Sequence, residues 1–394
     1  MISAAVIRRF TFLLFPIIVA ATTLASPPVH ERTVLAPVFT INDIYKSMMG
    51  PSASQSFLLE ETEEPELLWL VGYRAEMVNE DATEVLPQEY MCHSNLDIDM
   101  SAYRKLFGWR KNSSRRLFTL SQGQFEVNFP EGFAIPLVSW QPLQLNSQVL
   151  NLNDKDLRTK VRHRVTLRYI RDRDLNEEIT PLFMKAAQAM VRIEGSGYWG
   201  MDQEEVMQEE HGESCLLGDA VRGTGNTDSH GNRFSGHWVV PPGEHDYRSL
   251  VTNWLSLPFD TQAHYVAVHL HPFSEYIELF DLTTNETVYR SNTLNRQEGI
   301  GLDRVDYFSS PEGLPLHKTH EYQIRARYNN TSGENQDSMA VMFFYVEDKE
   351  FRKPTQEQLA LRLAEDRLLK KLDWSDGPKA GQSESTNRNA PTTM

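Results

Sequence analysis

Short strand-sized runs, each closed by a cluster of turn-forming residues, constrain the fold of this chain more than any other feature. Ten such runs stand out, at 67–73, 116–120, 125–129, 148–152, 164–169, 238–240, 265–270, 276–282, 322–328 and 339–346, with Pro, Gly, Asn and Asp between them. Runs of this length, with no regular alternation of strand and helix patterns, predict an all-β protein of packed antiparallel sheets rather than a parallel α/β fold. At 394 residues the chain is long enough for two such cores.

The ends read differently from the body. Residues 1–25 have the form of a secretory signal peptide: Arg8 and Arg9, an apolar run from Phe10 to Leu24, and small residues at Thr23-Leu24-Ala25 before Ser26. The apolar run is short for a membrane-spanning helix. The expectation is therefore a secreted, extracellular or periplasmic protein without a membrane span. An N-terminal β-sandwich is expected over 36–180 and a second over 181–350, the latter interrupted at about 190–235 by an acidic, Gly-rich insertion. Residues 351–394 are expected to form a helix and a disordered polar tail. Thr355 and Gln358 have capping-box spacing, and Leu361, Ala364, Leu368 and Leu372 predict the face that packs on the body.

The net charge of −15 opposes binding to nucleic acids, because phosphate contacts need clustered Lys and Arg. Only two cysteines are present, Cys92 and Cys215. In an oxidising compartment they can form one disulfide, but not a disulfide scaffold.

One run carries chemistry. In His264-Tyr-Val-Ala-Val-His-Leu-His271, side chains alternate between two faces. Val266, Val268 and Leu270 make one face apolar. Tyr265, Ala267, His269 and His271 share the other, so the two imidazoles project together, away from the expected core, and can share a metal ion. Asp337-Ser-Met339 follows downstream, and a thioether joining two imidazoles makes a soft site that favours copper over calcium or magnesium. Met342 is a rival thioether, but it lies on the opposite face of its strand from Met339.

Other histidines and cysteines have plainer readings beside functional ones. Cys92-His93 is a second metal site with His163, or a disulfide from Cys92 to Cys215 beside a structural His93, or a buried pair. His163 alone reads as a solvated or hydrogen-bonded strand residue. His211-Gly-Glu-Ser-Cys215 has zinc-binding residue types but no paired Cys motif, and reads as a mobile loop. His230 and His237 read as turn and strand residues, with His237 near the cleft. Gly223-Thr-Gly225 lacks the Lys and preceding strand of a phosphate loop. Tyr265, Glu275 and Tyr328 flank the histidine strand and are candidates for substrate contact.

From His269-Leu-His271 outward the chain resembles the copper type II, ascorbate-dependent monooxygenases, the family of peptidylglycine α-hydroxylating monooxygenase and dopamine β-monooxygenase. His237-Trp-Val-Val-Pro-Pro-Gly-Glu244 resembles the family's strand and Pro-x-Gly-Glu turn. Asn330-Thr-Ser-Gly-Glu-Asn-Gln-Asp-Ser-Met339 resembles the loop that supplies its methionine ligand. In the first half, Phe129-Pro-Glu-Gly-Phe133 and Gln148-Val-Leu-Asn151 resemble the approach to the third electron-transfer histidine, a position held here by Leu150. Cys92-His93 stands where the family has His-His.

The resemblance implies two tandem jelly-roll-like sandwiches with a solvent cleft, a copper on His269, His271 and Met339, and a degenerate second site. The expected function is an exported, monooxygenase-like copper oxidoreductase acting on a small-molecule or peptide substrate, with ascorbate or another reductant. No catalytic residue is assigned beyond the metal ligands. A non-catalytic copper-binding or interaction protein on the same scaffold is the alternative, and a carbohydrate- or peptide-binding double sandwich without metal is a third.

Overall fold

The structure is a computed structural model and describes residues 26–62, 64–108, 114–193, 197–201 and 226–375. It is all-β, with two tandem jelly-roll-like sandwiches and a C-terminal helix. In the first, Thr159–Arg171 and Leu67–Asn79, flanked by His30–Leu35 and Phe133–Val138, face a four-stranded sheet of Ser52–Phe57, Leu143–Val149, Met91–Ile98 and Arg116–Leu120. In the second, Thr180–Gln188, Ala340–Glu347, Thr261–Leu270 and Phe308–Leu316 face the five strands Gly243–Leu250, Tyr322–Asn330, Ser274–Asp281, Glu286–Asn295 and Leu302–Val305.

The two sandwiches share one continuous ten-stranded sheet. The join is a short parallel pairing, Thr180 with Phe133 and Pro181 with Ala134, while Thr180–Gln188 also pairs antiparallel with Ala340–Glu347. The expected boundary at 180–181 thus falls inside a strand bonded to both halves. Strands in the middle of such a sheet have both faces covered.

Of the expected insertion, residues 202–225, with His211, Cys215 and Gly223-Thr-Gly225, lie outside the described residues, as does the tail beyond Ser375. The insertion's described edges pair as a small sheet of Val191–Arg192, Arg233–Ser235 and Asn226–Thr227.

The helix Gln356–Ser375 begins where its capping box requires. Thr355 N donates to Gln358 Oε1 at 2.9 Å, and Gln358 N donates to Thr355 Oγ1 at 3.2 Å. Its docked face is not the expected one. Leu359 and Leu363 are buried against the first sandwich, and Trp140 Nε1 donates to Asp366 at 3.0 Å. Leu361 and Leu368 are 60% and 59% exposed, and Ala364 is exposed too. Leucines occur on several sides of this helix, so apolar spacing alone did not single out the stripe that packs. Among the described residues, no helix is long and apolar enough to cross a membrane.

Candidate metal centre

The strand Thr261–Leu270 has the two faces its sequence predicts, but neither is open. Val266, Val268 and Leu270 enter the core of the second sandwich. Tyr265 and Ala267 enter the core of the first, beside Phe129, Val341 and Tyr345. His269 and His271 continue this second face and are only 7% and 6% exposed. The expected solvent-facing imidazoles are therefore buried between the sandwiches, because this strand is interior to the shared sheet.

A tight turn from the first sandwich fixes His269. Phe308–Leu316 pairs with the histidine strand only as far as Val266, which leaves the edge beyond it uncovered. Residues 121–124 fill that edge. Gln124 Oε1 accepts from Val268 N at 3.0 Å, Gln124 Nε2 donates to Tyr265 Oη at 3.2 Å, and Ser121 Oγ lies 2.9 Å from His269 Nδ1. Gly123 makes the turn possible. Its φ is +83°, and a Cβ there would meet Val305 Cγ2 at 2.7 Å.

His271 is oriented by its own half of the molecule. Its Nδ1 donates to the Asp337 carbonyl at 3.1 Å. A carbonyl only accepts, so Nδ1 carries the proton and Nε2 keeps its lone pair, 3.4 Å from Ser47 Oγ. The rings of His269 and His271 are 5.2 Å apart and nearly perpendicular. Burial holds the His269 imidazole down to about 3, with His93 and His237 adding to the effect, and holds His271 well below the usual range. Both are neutral at physiological pH, the form that binds metal.

Two further groups complete the niche. Trp238–Val240 pairs with Gln336–Ser338, Val239 opposite Asp337. Trp238 and Val240 face the second core, so His237 and Asp337 turn to the other side, toward His271. His237 Nε2 lies 3.5 Å from Asp337 Oδ2, and His271 Nδ1 lies 4.0 Å from the same oxygen. The His237 and His271 rings are 5.6 Å apart. Burial lowers the His237 imidazole and raises the Asp337 carboxyl to about 7, with Ser47 and Lys46 opposing the latter shift.

Met339 lies just beyond the end of the ladder at the Leu270–Ala340 pair, on the side of the sheet that faces the first sandwich. Its side chain is half-buried against the core of the first sandwich, and its carbonyl accepts from Tyr328 Oη at 2.8 Å. Met342 is fully buried in the second core. His269 and His271 open onto a narrow cavity of about 40 Å³, walled by Lys46, Ser47, Cys92, Leu150, Phe273 and Asp337 rather than by Met339. Phe273, two residues after His271, is held at φ +70°. The cavity has room for small molecules such as water or dioxygen and none for a peptide.

The first-half candidates meet this niche from the other side. Cys92 is a free, buried thiol at a bulge, and burial pushes it up to about 11. Its expected partner Cys215 lies outside the described residues. Ser94 pairs with Leu120, which puts His93 opposite Ser121, the residue that holds His269. Burial pushes His93 down to about 3, with Arg116, His163 and His271 contributing. Leu150 is an apolar wall of the cavity.

His163 is not solvated, against one of its two expected readings. The alternation of Thr159–Arg171 points it into the first core with Val161 and Val165, edge-on to Phe39. Neither ring nitrogen meets a side-chain partner, the Gln148 backbone opposes the shift only weakly, and burial pushes the imidazole down to about 4. Tyr265 and Tyr328 are buried and bonded within the protein, and Glu275 pairs with Arg327 at 2.9 Å, so none of the three lines the cavity. His230 is exposed. Sequence reasoning underweighted His237 and Asp337. Their signals were the strand before the Pro-Pro-Gly-Glu turn and the tripeptide ending in Met339.

No family model and no curated protein matches the chain. Among solved structures it is similar to PBCV-1 VP54 fitted into a reconstruction of the virophage Sputnik, at 7% identity, 84% of this chain, 98% of that chain and a TM-score of 0.33. PNGase F, a glycosylasparaginase from Flavobacterium meningosepticum, is similar at 6% identity, 81% of this chain, 96% of that chain and a TM-score of 0.34. The major capsid protein P2 from bacteriophage PM2 follows at 7%, 82%, 100% and 0.29. At these TM-scores the likenesses carry no argument about what the chain binds or does.

Proposed function

We propose that this is an exported copper-binding protein with monooxygenase-like oxidoreductase chemistry, its metal held by His269 and His271. One observation carries the reading. Two neutral, buried imidazoles share a face, and each has its Nδ1 engaged, by Ser121 and by the Asp337 carbonyl, which turns Nε2 to a ligand, with a long contact to Ser47 Oγ at His271 to be displaced. Met339, on the same side of the sheet, is the expected third ligand. The donor set of two imidazoles and a thioether fits copper. Bound there, copper would supply one-electron chemistry with dioxygen, using ascorbate or another small reductant.

The chain's own residues hold the imidazoles and exclude bulk water. Lys46, Ser47, Leu150 and Phe273 line the approach and narrow it. A second reading, copper binding without turnover, is favoured by that narrowness and by Leu150 and Cys92 at positions where the resembled family has histidines. Oxygen uptake by copper-loaded protein with ascorbate separates them. The oxidoreductase consumes oxygen above free copper and loses this with His269→Ala, whereas a carrier suppresses the copper background.

A further inference from the structure

We infer that His237, His271 and Asp337 form a binding position for a borderline divalent transition-metal ion, with nitrogen and oxygen ligands in place of the Met339 thioether. One ligand atom from each of the three lies within 4.8 Å of the others. His237 Nε2 and Asp337 Oδ2 are both buried and neither makes a well-formed hydrogen bond, though they face each other at 3.5 Å and Ser47 lies beside the carboxylate. A buried polar atom without a partner is costly, and two aimed at one point are satisfied together by a cation between them.

The backbone builds the arrangement. The ladder between Trp238–Val240 and Gln336–Ser338 fixes His237 and Asp337 on one side, and His271 Nδ1 lies 4.0 Å from Asp337 Oδ2, so that binding through it would exchange the hydrogen bond to the Asp337 carbonyl for the metal. Asp337 also walls the cavity, so an ion there is reachable by small ligands. Two imidazoles and one carboxylate suit Zn²⁺, Fe²⁺ or Cu²⁺ better than the soft Cu⁺ that a thioether selects. The inference rests on the proposed function only in placing metal on this side of the histidine strand, and it shares His271 with that site.

Metal titration of the full chain with Cu²⁺ and with Zn²⁺, together with X-ray absorption on the loaded protein, tests it. His237→Gln and Asp337→Asn are each expected to weaken binding by roughly tenfold or more, the scale found even for outer-sphere partners. Met339→Leu, which removes the thioether of the proposed copper site, is expected to leave Zn²⁺ affinity unchanged, and the absorption spectrum of the zinc-loaded protein to fit nitrogen and oxygen without sulfur. Thermal melts identify any variant that fails to fold, and the absorption spectrum of wild-type protein decides the ligand set without a variant. A sulfur ligand, with binding lost in Met339→Leu and kept in His237→Gln, overturns the inference and leaves the copper reading standing. Binding that survives His269→Ala but not His237→Gln supports the inference and removes His269 from the site. Absence of binding by folded wild-type protein overturns both.

Discussion

The two sandwiches bury histidines in opposite ways. In the second, His269 and His271 each have one nitrogen held by a polar group of another segment, so the ring is aimed and the other nitrogen is left for a ligand. In the first, His163 is walled by Phe39, Val161 and Val165 and no side chain holds either nitrogen, the Gln148 backbone being a weak partner at most. Both environments lower the imidazole pKa, so burial alone does not separate a ligand from a core residue. Orientation by a second partner does.

The comparison can be broken most severely at His271, the residue common to both candidate ligand sets. His271→Ala is expected to abolish stoichiometric copper or zinc uptake, measured by metal analysis after dialysis, while His163→Ala leaves uptake intact. Equal loss in the two variants would mean the first sandwich also holds metal. Next is the turn that joins the halves. Gly123→Val forces a branched side chain into a left-handed position against Val305 and is expected to cost about 3 kcal/mol in denaturant unfolding. A neutral result would show that the turn is not packed as described.

Ser121→Ala sharpens the comparison more finely. It frees His269 Nδ1 with little loss of fold, and metal affinity is expected to fall about tenfold. If affinity is unchanged, orientation by Ser121 is irrelevant. The smallest effect at neutral pH is expected for His163→Leu, which removes two buried nitrogens that no side chain satisfies and should be neutral or stabilising by about 1 kcal/mol. Its signature lies at acid pH. His163 is held down to about 4 from an ordinary 6.5, so between these values the unfolded chain takes up a proton that the folded chain refuses. Stability is therefore lost as pH falls through that window, and His163→Leu should make the acid limb of the stability curve shallower.

Much of the fold was legible because turn residues punctuate the strands and the capping box at Thr355 and Gln358 has a fixed spacing. The alternation that pairs His269 with His271 was legible for the same reason, since period-two geometry follows directly from sequence. What lay over that face was not. Burial of the histidines depends on a turn at 121–124 more than a hundred residues away in the chain, and nothing in the local pattern announces it. His163 shows the same limit: it was legible as a strand residue, but not as one on the inner face. His237 and Asp337 meet through a two-strand ladder whose members are also distant in sequence, so their convergence is visible only in three dimensions. The docked face of the final helix was hidden by leucines on more than one side.

The central claim is that oriented, neutral imidazoles at His269 and His271 hold a metal. Its most direct test is the copper content of purified full-length protein after loading and dialysis, compared with His269→Ala/His271→Ala protein of matched thermal stability. The account predicts stoichiometric copper in the wild type and background levels in the variant. Background copper in folded wild-type protein, or equal copper in both, would contradict it.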